Sequence, residues 1–331
     1  MAPLLPRQAY ANGIAPASLK INCAHVESNM SDGLSRAGNR APRHAGLSGI
    51  GHARLVRAVV FAGGGNRCFW QAGFWSEAAP RLGLAPQRVA ATSAGAAIAC
   101  VLFAGRALEG LAHFKSVIST NPRNVYPGNV FHGRPVFPHA AIYRRALLAI
   151  IDPAALERLR AGPEILVPVT RAPRWLGKRT AFAVAGLADA LEHMARPAVH
   201  PRLARRLGFT AEYVPVGTCA TPDALADLVL ASSCTPPFTP AFTHGGRPAL
   251  DGGIADNVPA AAVESDDGPT LVLLTRRFAR LPVHPGRIYV QPSRPIPASA
   301  WDYTDPAAIQ AAFDLGRRDG AVYVQNQFVT S

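Results

Sequence analysis

Two short strings in the first third of the chain carry groups able to do chemistry. In Ala91-Thr92-Ser93-Ala94-Gly95 a serine ends the apolar run Val89 to Thr92 and precedes Ala94 to Phe103, which has the composition of a buried helix. A serine wedged between a strand and a helix sits on a tight, strained turn, and only small neighbours two residues to either side avoid a clash there. Ala91 and Gly95 meet that requirement, so the string reads A-x-S-x-G where G-x-S-x-G is the usual form. At the N-terminus of the following helix the backbone dipole favours a developing negative charge, which suits a nucleophile.

Gly63, Gly64 and Gly65 follow another apolar run, Ala58 to Ala62. Their backbone can take angles closed to other residues, so their N–H groups can converge on one point as an anion-binding nest. The anion is either a nucleotide phosphate or the oxyanion of an acyl-transfer intermediate, and the glycines alone do not choose. The nearby serine turn favours the oxyanion. Nucleotide readings fit poorly: Gly63 to Cys68 fails G-x-G-x-x-G at its last position, no acidic residue follows at the required strand end, and no Gly-Lys-[Ser/Thr] occurs.

Further on, the apolar pair Ala249-Leu250 delivers Asp251-Gly252-Gly253, with Asn257 and Pro259 after it. Upstream, the segment from Ala231 through Ser232, Ser233 and Cys234 to Pro240 reads as a rigid loop of apolar character. Asp-Gly by itself is a common turn dipeptide. In order, however, GGGNR, S-x-G, A-S-S-x-x-P-P-F-x-P and D-G-G-x-x-x-N-x-P resemble the patatin-like phospholipase family, from about Arg57 to Val263.

The resemblance implies a lipid acyl hydrolase, a phospholipase or esterase, with Ser93 as nucleophile and Asp251 as its base. It places the oxyanion hole at Gly63, Gly64 and Gly65 and the family's basic residue at Arg67. Gly95, Gly252 and Gly253 are the supporting glycines of the serine and aspartate motifs. Two positions depart from the pattern: Cys68 stands where G-G-G-x-[RK]-G ends in glycine, so backbone freedom is lost there, and Ala91 replaces the first glycine of the elbow. A carboxylate is a poor base towards a hydroxyl in water. A desolvated one, hydrogen-bonded directly to the serine, can take the proton as attack proceeds. The nest must then carry much of the barrier reduction, at about 3 kcal/mol per well-placed donor.

Two alternatives compete. A Ser–Asp–His enzyme of the α/β-hydrolase type needs a histidine after the acid, and only His284 lies beyond Asp251; its elbow also follows several strands, whereas one precedes Ser93 here. The other is a catalytically silent lipid-binding homologue that keeps the loops.

Around these strings, apolar runs alternate with helical patterns. Helices are expected over Leu108 to Thr120, Pro138 to Ile150, Pro153 to Arg160, Trp175 to Met194, Asp223 to Ser232 and Asp305 to Val324, with Asp152 and Asp305 as caps. Strands are expected at Ile165 to Thr170, Phe209 to Thr218, Thr270 to Thr275 and Arg287 to Gln291. Alternation of this kind predicts a three-layer α/β/α sandwich with a mostly parallel central sheet. The loop Asn124 to Pro138 carries Tyr126, Phe131 and Phe137, aromatics able to line a substrate cleft.

Residues 1–52 lack a sustained apolar period and read as a disordered tail without signal-peptide features; because Met30 lies inside it, part is expected to come from an upstream start codon. Residues 53–331 form the expected hydrolase domain. No run reaches the roughly 20 apolar residues of a spanning helix, so any membrane contact is expected to be peripheral. The net charge of +13 favours anionic surfaces such as phospholipid headgroups; only three of the 34 basic residues are lysines, and a GC-rich coding bias accounts for the arginine excess. Arg196, Arg202, Arg205 and Arg206 read as a solvated face. The five cysteines are scattered without C-x-x-C spacing, which points to a reducing, cytoplasmic setting and to neither a disulfide framework nor a zinc site. No metal, cofactor or nucleic-acid partner is expected; the partner is a lipid or acyl ester.

Overall fold

The computed structural model describes residues 21–23, 56–195, 198–200, 202–265 and 267–329. Short strands make the middle of the sheet: β2 (Ala58–Phe61) and β8 (Thr270–Leu273), buried along their whole length, β3 (Arg88–Ala91) and β9 (Arg287–Val290), buried beyond their first residues, and the longer β4 (Glu164–Arg171), buried after Glu164. Side chains alternate between two cores. Val59, Phe61, Val89 and Leu273 enter one, and Ala58, Val60, Ala90 and Val272 enter the other. Strands buried on both faces read as continuous apolar runs, which is why they are visible in the sequence.

With β1 (Ile21–Cys23) and β5 (Thr210–Pro215) at its edges, the seven-stranded sheet has the order β1-β9-β8-β2-β3-β4-β5, and β6 (Thr243–His244) pairs with β7 (Arg247–Pro248) as a separate hairpin. The pairs β9/β8, β8/β2, β2/β3 and β3/β4 are parallel, and the two edges are antiparallel. One edge strand, β5 (Thr210–Pro215), runs back along β4. The other, β1 (Ile21–Cys23), pairs with β9 from within the segment expected to be a tail; the rest of that segment lies outside the described residues.

One face is covered by α1 (Phe69–Leu82), α2 (Ala94–Phe103), α3 (Ala107–Ser119), α4 (His139–Ile150), α5 (Pro153–Ala161) and α8 (Pro222–Ser232). The terminal helix α10 (Pro306–Val329) packs on α1. Gly73 and Gly316 face the partner helix's backbone so closely that a β-carbon on either would strike a carbonyl, and Trp70 Nε1 donates to Asp319 Oδ2 at 2.7 Å across the contact. Val199, Val258, Val263 and Phe278 cover the opposite face. Beside them α6 (Lys178–Ala195), α7 (Leu203–Arg206) and α9 (Gly252–Asp256) pack near β4 and β5. The arrangement is the expected three-layer sandwich on a mostly parallel sheet. Arg202, Arg205 and Arg206 are exposed around α7, and Arg196 lies outside the described residues.

Candidate active site

Adjacent parallel strands end on the same side of a sheet, and loops leaving that side meet. Phe61 pairs with Ala91, so the glycines after β2 and the serine after β3 emerge next to each other. Asp251 arrives by a third route. Leu250 exchanges two backbone hydrogen bonds of 3.1 Å with Thr170 near the end of β4, the strand beside β3. A single bridge from the apolar pair Ala249-Leu250 therefore places the aspartate.

Ser93 caps α2 with φ 54° and ψ −128°, and no other non-glycine residue among those described has a positive φ. Such a conformation costs of order 1–3 kcal/mol and persists only where its surroundings enforce it. Here they do. The Ser93 N–H donates to Ser232 Oγ at 3.0 Å, and Ser232 in turn donates to the Pro168 carbonyl at 2.7 Å. A β-carbon on Gly95 would lie 2.6 Å from the Phe61 carbonyl oxygen, so the turn after the serine needs glycine. Ala91, by contrast, is an ordinary buried strand residue.

The Ser93 hydroxyl donates to Asp251 Oδ2 at 2.8 Å and lies 3.3 Å from Ser233 Oγ. With its one proton directed at the carboxylate, Ser93 Oγ accepts from Ser233. Asp251 caps α9, and its other oxygen accepts from the Gly253 N–H at 2.7 Å, while Thr235 Oγ1 lies 3.4 Å from Oδ2. Gly252 is pressed against the Pro168 carbonyl. The carboxylate is half-buried and aimed at the serine.

The glycine nest differs from the expected one in its first member. The Gly63 N–H is spent on the Asn257 carbonyl at 3.3 Å. The Gly64 and Gly65 N–H groups donate to no acceptor among the described residues. Two side chains fix their direction, because in a trans peptide the C=O of one residue and the N–H of the next point opposite ways. Thr275 Oγ1 donates to the Gly63 carbonyl at 2.6 Å, turning the Gly64 N–H away from Thr275. Thr275 follows β8 on one side of β2, and Ser93 follows β3 on the other, so that N–H faces the serine's side. Arg67 Nε donates to the Gly64 carbonyl at 3.2 Å and orients the Gly65 N–H in the same manner.

Cys68 does not carry the strain expected of it. It has φ −64° and ψ −16°, ordinary helical angles that glycine is not needed to supply, and its thiol is buried 3.6 Å from the Ala62 carbonyl. Burial pushes that thiol far above the usual range, so it stays protonated and serves as packing.

A cavity begins at Gly65 and Ala94 and runs between α1, α2, α3 and α4. Its walls are apolar, with Ile98, Leu102, Leu111, Phe114 and Leu147 prominent. The Tyr143 hydroxyl is buried in the wall beside Ser233 without a well-formed hydrogen bond. Of the three loop aromatics expected at a cleft, none lines this cavity. Phe137 packs against Phe238, which stacks on Trp301 at 4.9 Å; Tyr126 bonds to Asn121; Phe131 is exposed. Among the described residues no group of three His, Cys, Asp or Glu side chains could hold a metal ion.

Among the described residues no histidine hydrogen-bonds to Ser93. His284 precedes β9 and so lies at the opposite end of the parallel strands, against Glu264 and the Pro285 carbonyl. The buried His139, its basicity lowered chiefly by burial, pairs Nε2 with the Trp301 carbonyl at 2.8 Å. Sequence reading passed over Ser232, Ser233 and Thr275 as participants. The serines stand in the quoted A-S-S string; Thr275, a small polar residue ending an apolar run, offered only a weak signal.

Thr275→Val keeps the shape and removes the pin. On the oxyanion role that the family resemblance implies for these glycines, kcat for an ester substrate is expected to fall about tenfold with little change in KM, one donor being misdirected rather than deleted. Thr275→Ser should restore it; unchanged kcat in Thr275→Val would show that the pin is dispensable.

No curated protein matches the chain. The model of the patatin-like phospholipase family matches residues 59–263, more than half of the sequence and the whole span from β2 past Asp251. With glycine loop, serine turn and aspartate loop all inside that match, the chain belongs to the patatin-like phospholipase family.

Proposed function

We propose that the protein hydrolyses carboxylic esters of lipids through Ser93 and Asp251, with the Gly64 and Gly65 N–H groups as oxyanion donors. The observation that carries this reading is the 2.8 Å hydrogen bond from the strained Ser93 to Asp251, next to an apolar cavity lined by the neighbouring Ala94 and by Gly65. Ser93 Oγ attacks the acyl carbon as its proton passes to Asp251 Oδ2. The carbonyl oxygen takes up negative charge against the nest, and collapse expels the alcohol, which leaves with the proton from Asp251. Water then attacks the acyl-serine, giving its proton to Asp251, and the proton returns to Ser93 Oγ as the fatty acid departs. Membership of a family whose members are typically lipid hydrolases supports the reaction class.

The cavity suits an acyl chain: its walls offer dispersion contacts and few polar groups. No helix among the described residues is long and apolar enough to cross a membrane, and we propose that the protein meets its substrate peripherally, at an anionic surface, in the cytoplasm. The test is a panel of water-soluble acyl esters of graded chain length, together with phospholipids, run on the wild type beside Ser93→Ala. Turnover should rise with chain length until the cavity is filled and vanish in the variant. A wild type inert on the whole panel would leave a silent lipid-binding homologue as the better reading.

A further inference from the structure

We propose that the tip of the loop between α3 and α4, Val130 and Phe131, inserts into an anionic lipid surface and sets the mouth of the site against it. The inference rests on the ester-hydrolase reading for its purpose, though its test does not. The tip is a 3₁₀ turn, Pro127–His132, in which no residue is buried. Phe131 is 89% exposed and Val130 63%, and Val125 on the same loop is 42% exposed. Other large apolar side chains are exposed singly, Trp175 at 80% among them, but here Val125, Val130 and Phe131 share one loop and form an apolar tip that calls for a partner.

The loop is built to hold that ring out. Tyr126 N–H donates to the Val136 carbonyl at 2.8 Å, Arg134 N–H to the Asn129 carbonyl at 2.9 Å, and Asn129 Nδ2 to the Pro135 carbonyl at 2.7 Å. These bonds close the loop on itself, so little ordering remains to be done on docking. At its base, Asn124 Nδ2 donates to Asp302 Oδ1 at 2.8 Å, and the Asp302 carbonyl accepts from Asn66 Nδ2, one residue past the nest. The tip is thereby tied to the rim of the site through one shared residue.

Charge identifies the partner. From residue 110 to 151 the chain has no acidic residue, while it has five basic ones: Lys115, Arg123, Arg134, Arg144 and Arg145. Arg144 is paired with Asp223 and Asp227. Arg123 and Arg134 flank the tip, are exposed, and make no ion pair among the described residues. A tip of two or three apolar residues is far smaller than the roughly 800 Å² per side of a stable protein interface. Shallow apolar insertion with cations beside it is what an anionic bilayer rewards, at about fivefold in affinity per arginine.

The test measures sedimentation of the full-length Ser93→Ala protein with vesicles, so that lipid is not consumed. Binding is expected to vesicles of phosphatidylglycerol and phosphatidylcholine, to weaken as salt rises, and to be slight with phosphatidylcholine alone. Adding Val130→Ser and Phe131→Ser should lower partitioning at least about tenfold, and Arg123→Gln with Arg134→Gln by a similar factor. In the Ser93 background the same pairs should hydrolyse a short water-soluble ester at the wild-type rate. A failure of hydrolysis in the parent would count against the ester-hydrolase reading and leave the docking result standing. Docking itself is overturned if the parent binds no vesicle, binds neutral and anionic vesicles equally, keeps its affinity when the tip is changed, or loses it only when Arg202, Arg205 and Arg206 are replaced.

Discussion

Ser93→Ala is expected to abolish ester hydrolysis, by at least about 10⁴-fold, and to abolish covalent labelling by a fluorophosphonate probe. The two readouts report on different things. In the mechanism we propose, hydrolysis needs the nucleophile, the base and the nest; labelling needs a hydroxyl that is activated and reachable. Ser93 is 8% exposed, so the probe has only a narrow approach to it, and the activation we propose comes from its 2.8 Å bond to Asp251. Alanine also removes the acceptor of the Ser233 hydroxyl, leaving a buried group short of a partner. That costs about 1–3 kcal/mol, so the variant's thermal unfolding must be measured beside its activity. A folded Ser93→Ala protein that still hydrolyses esters, or still labels, would move the nucleophile elsewhere.

Much of the scaffold behind this prediction was legible in the sequence because it depends on local rules. The helix Ala94–Phe103 begins and ends where its composition changes. Asp152 and Asp305 cap their helices as their spacing before proline suggests, accepting from Ala155 N at 2.7 Å and Ala308 N at 2.9 Å. The buried strands announced themselves as apolar runs between turn residues. What stayed hidden depends on tertiary neighbours. Nothing local tells that β5 runs antiparallel to β4, or that Ile21–Cys23 pairs with β9. The helix Phe69–Leu82 was passed over because it is apolar on most sides, with Trp70, Phe74 and Trp75 all buried, and carries Pro80 in its last turn.

The candidate site divides along the same line. Ser93, Asp251 and the glycines stand in recognisable strings, because each needs a particular backbone conformation that few residues tolerate. Ser232, Ser233 and Thr275 act on groups 139, 140 and 212 positions away, where sequence spacing carries no information. The Gly63 N–H was counted as a free donor because the sequence cannot reveal Asn257 beneath it. Cys68 was expected to strain the nest, yet the chain turns into a 3₁₀ helix there, a conformation open to any side chain. A pattern position filled by glycine in a family need not demand glycine's freedom in each member.

Asp251→Asn tests the base, with an expected loss of about 10³-fold in kcat and little change in the unfolding temperature. The amide keeps the volume of the carboxylate. Its oxygen can still accept the Gly253 N–H at the position where Asp251 Oδ1 now lies 2.7 Å away, so the cap of α9 survives. The amide nitrogen then faces Ser93 Oγ, where it can donate but cannot accept a proton, and Ser93 also loses the partner that orients its hydroxyl. Fluorophosphonate labelling should slow in parallel with turnover, because the same proton must leave in both reactions. His284→Ala is the control for a triad. His284 is separated from the serine by the length of the parallel strands, about 13 Å for four residues, and its loss should leave turnover nearly unchanged. A folded His284→Ala protein as impaired as Asp251→Asn would require a Ser–Asp–His mechanism, and an Asp251→Asn enzyme with undiminished turnover would remove the carboxylate from the chemistry altogether.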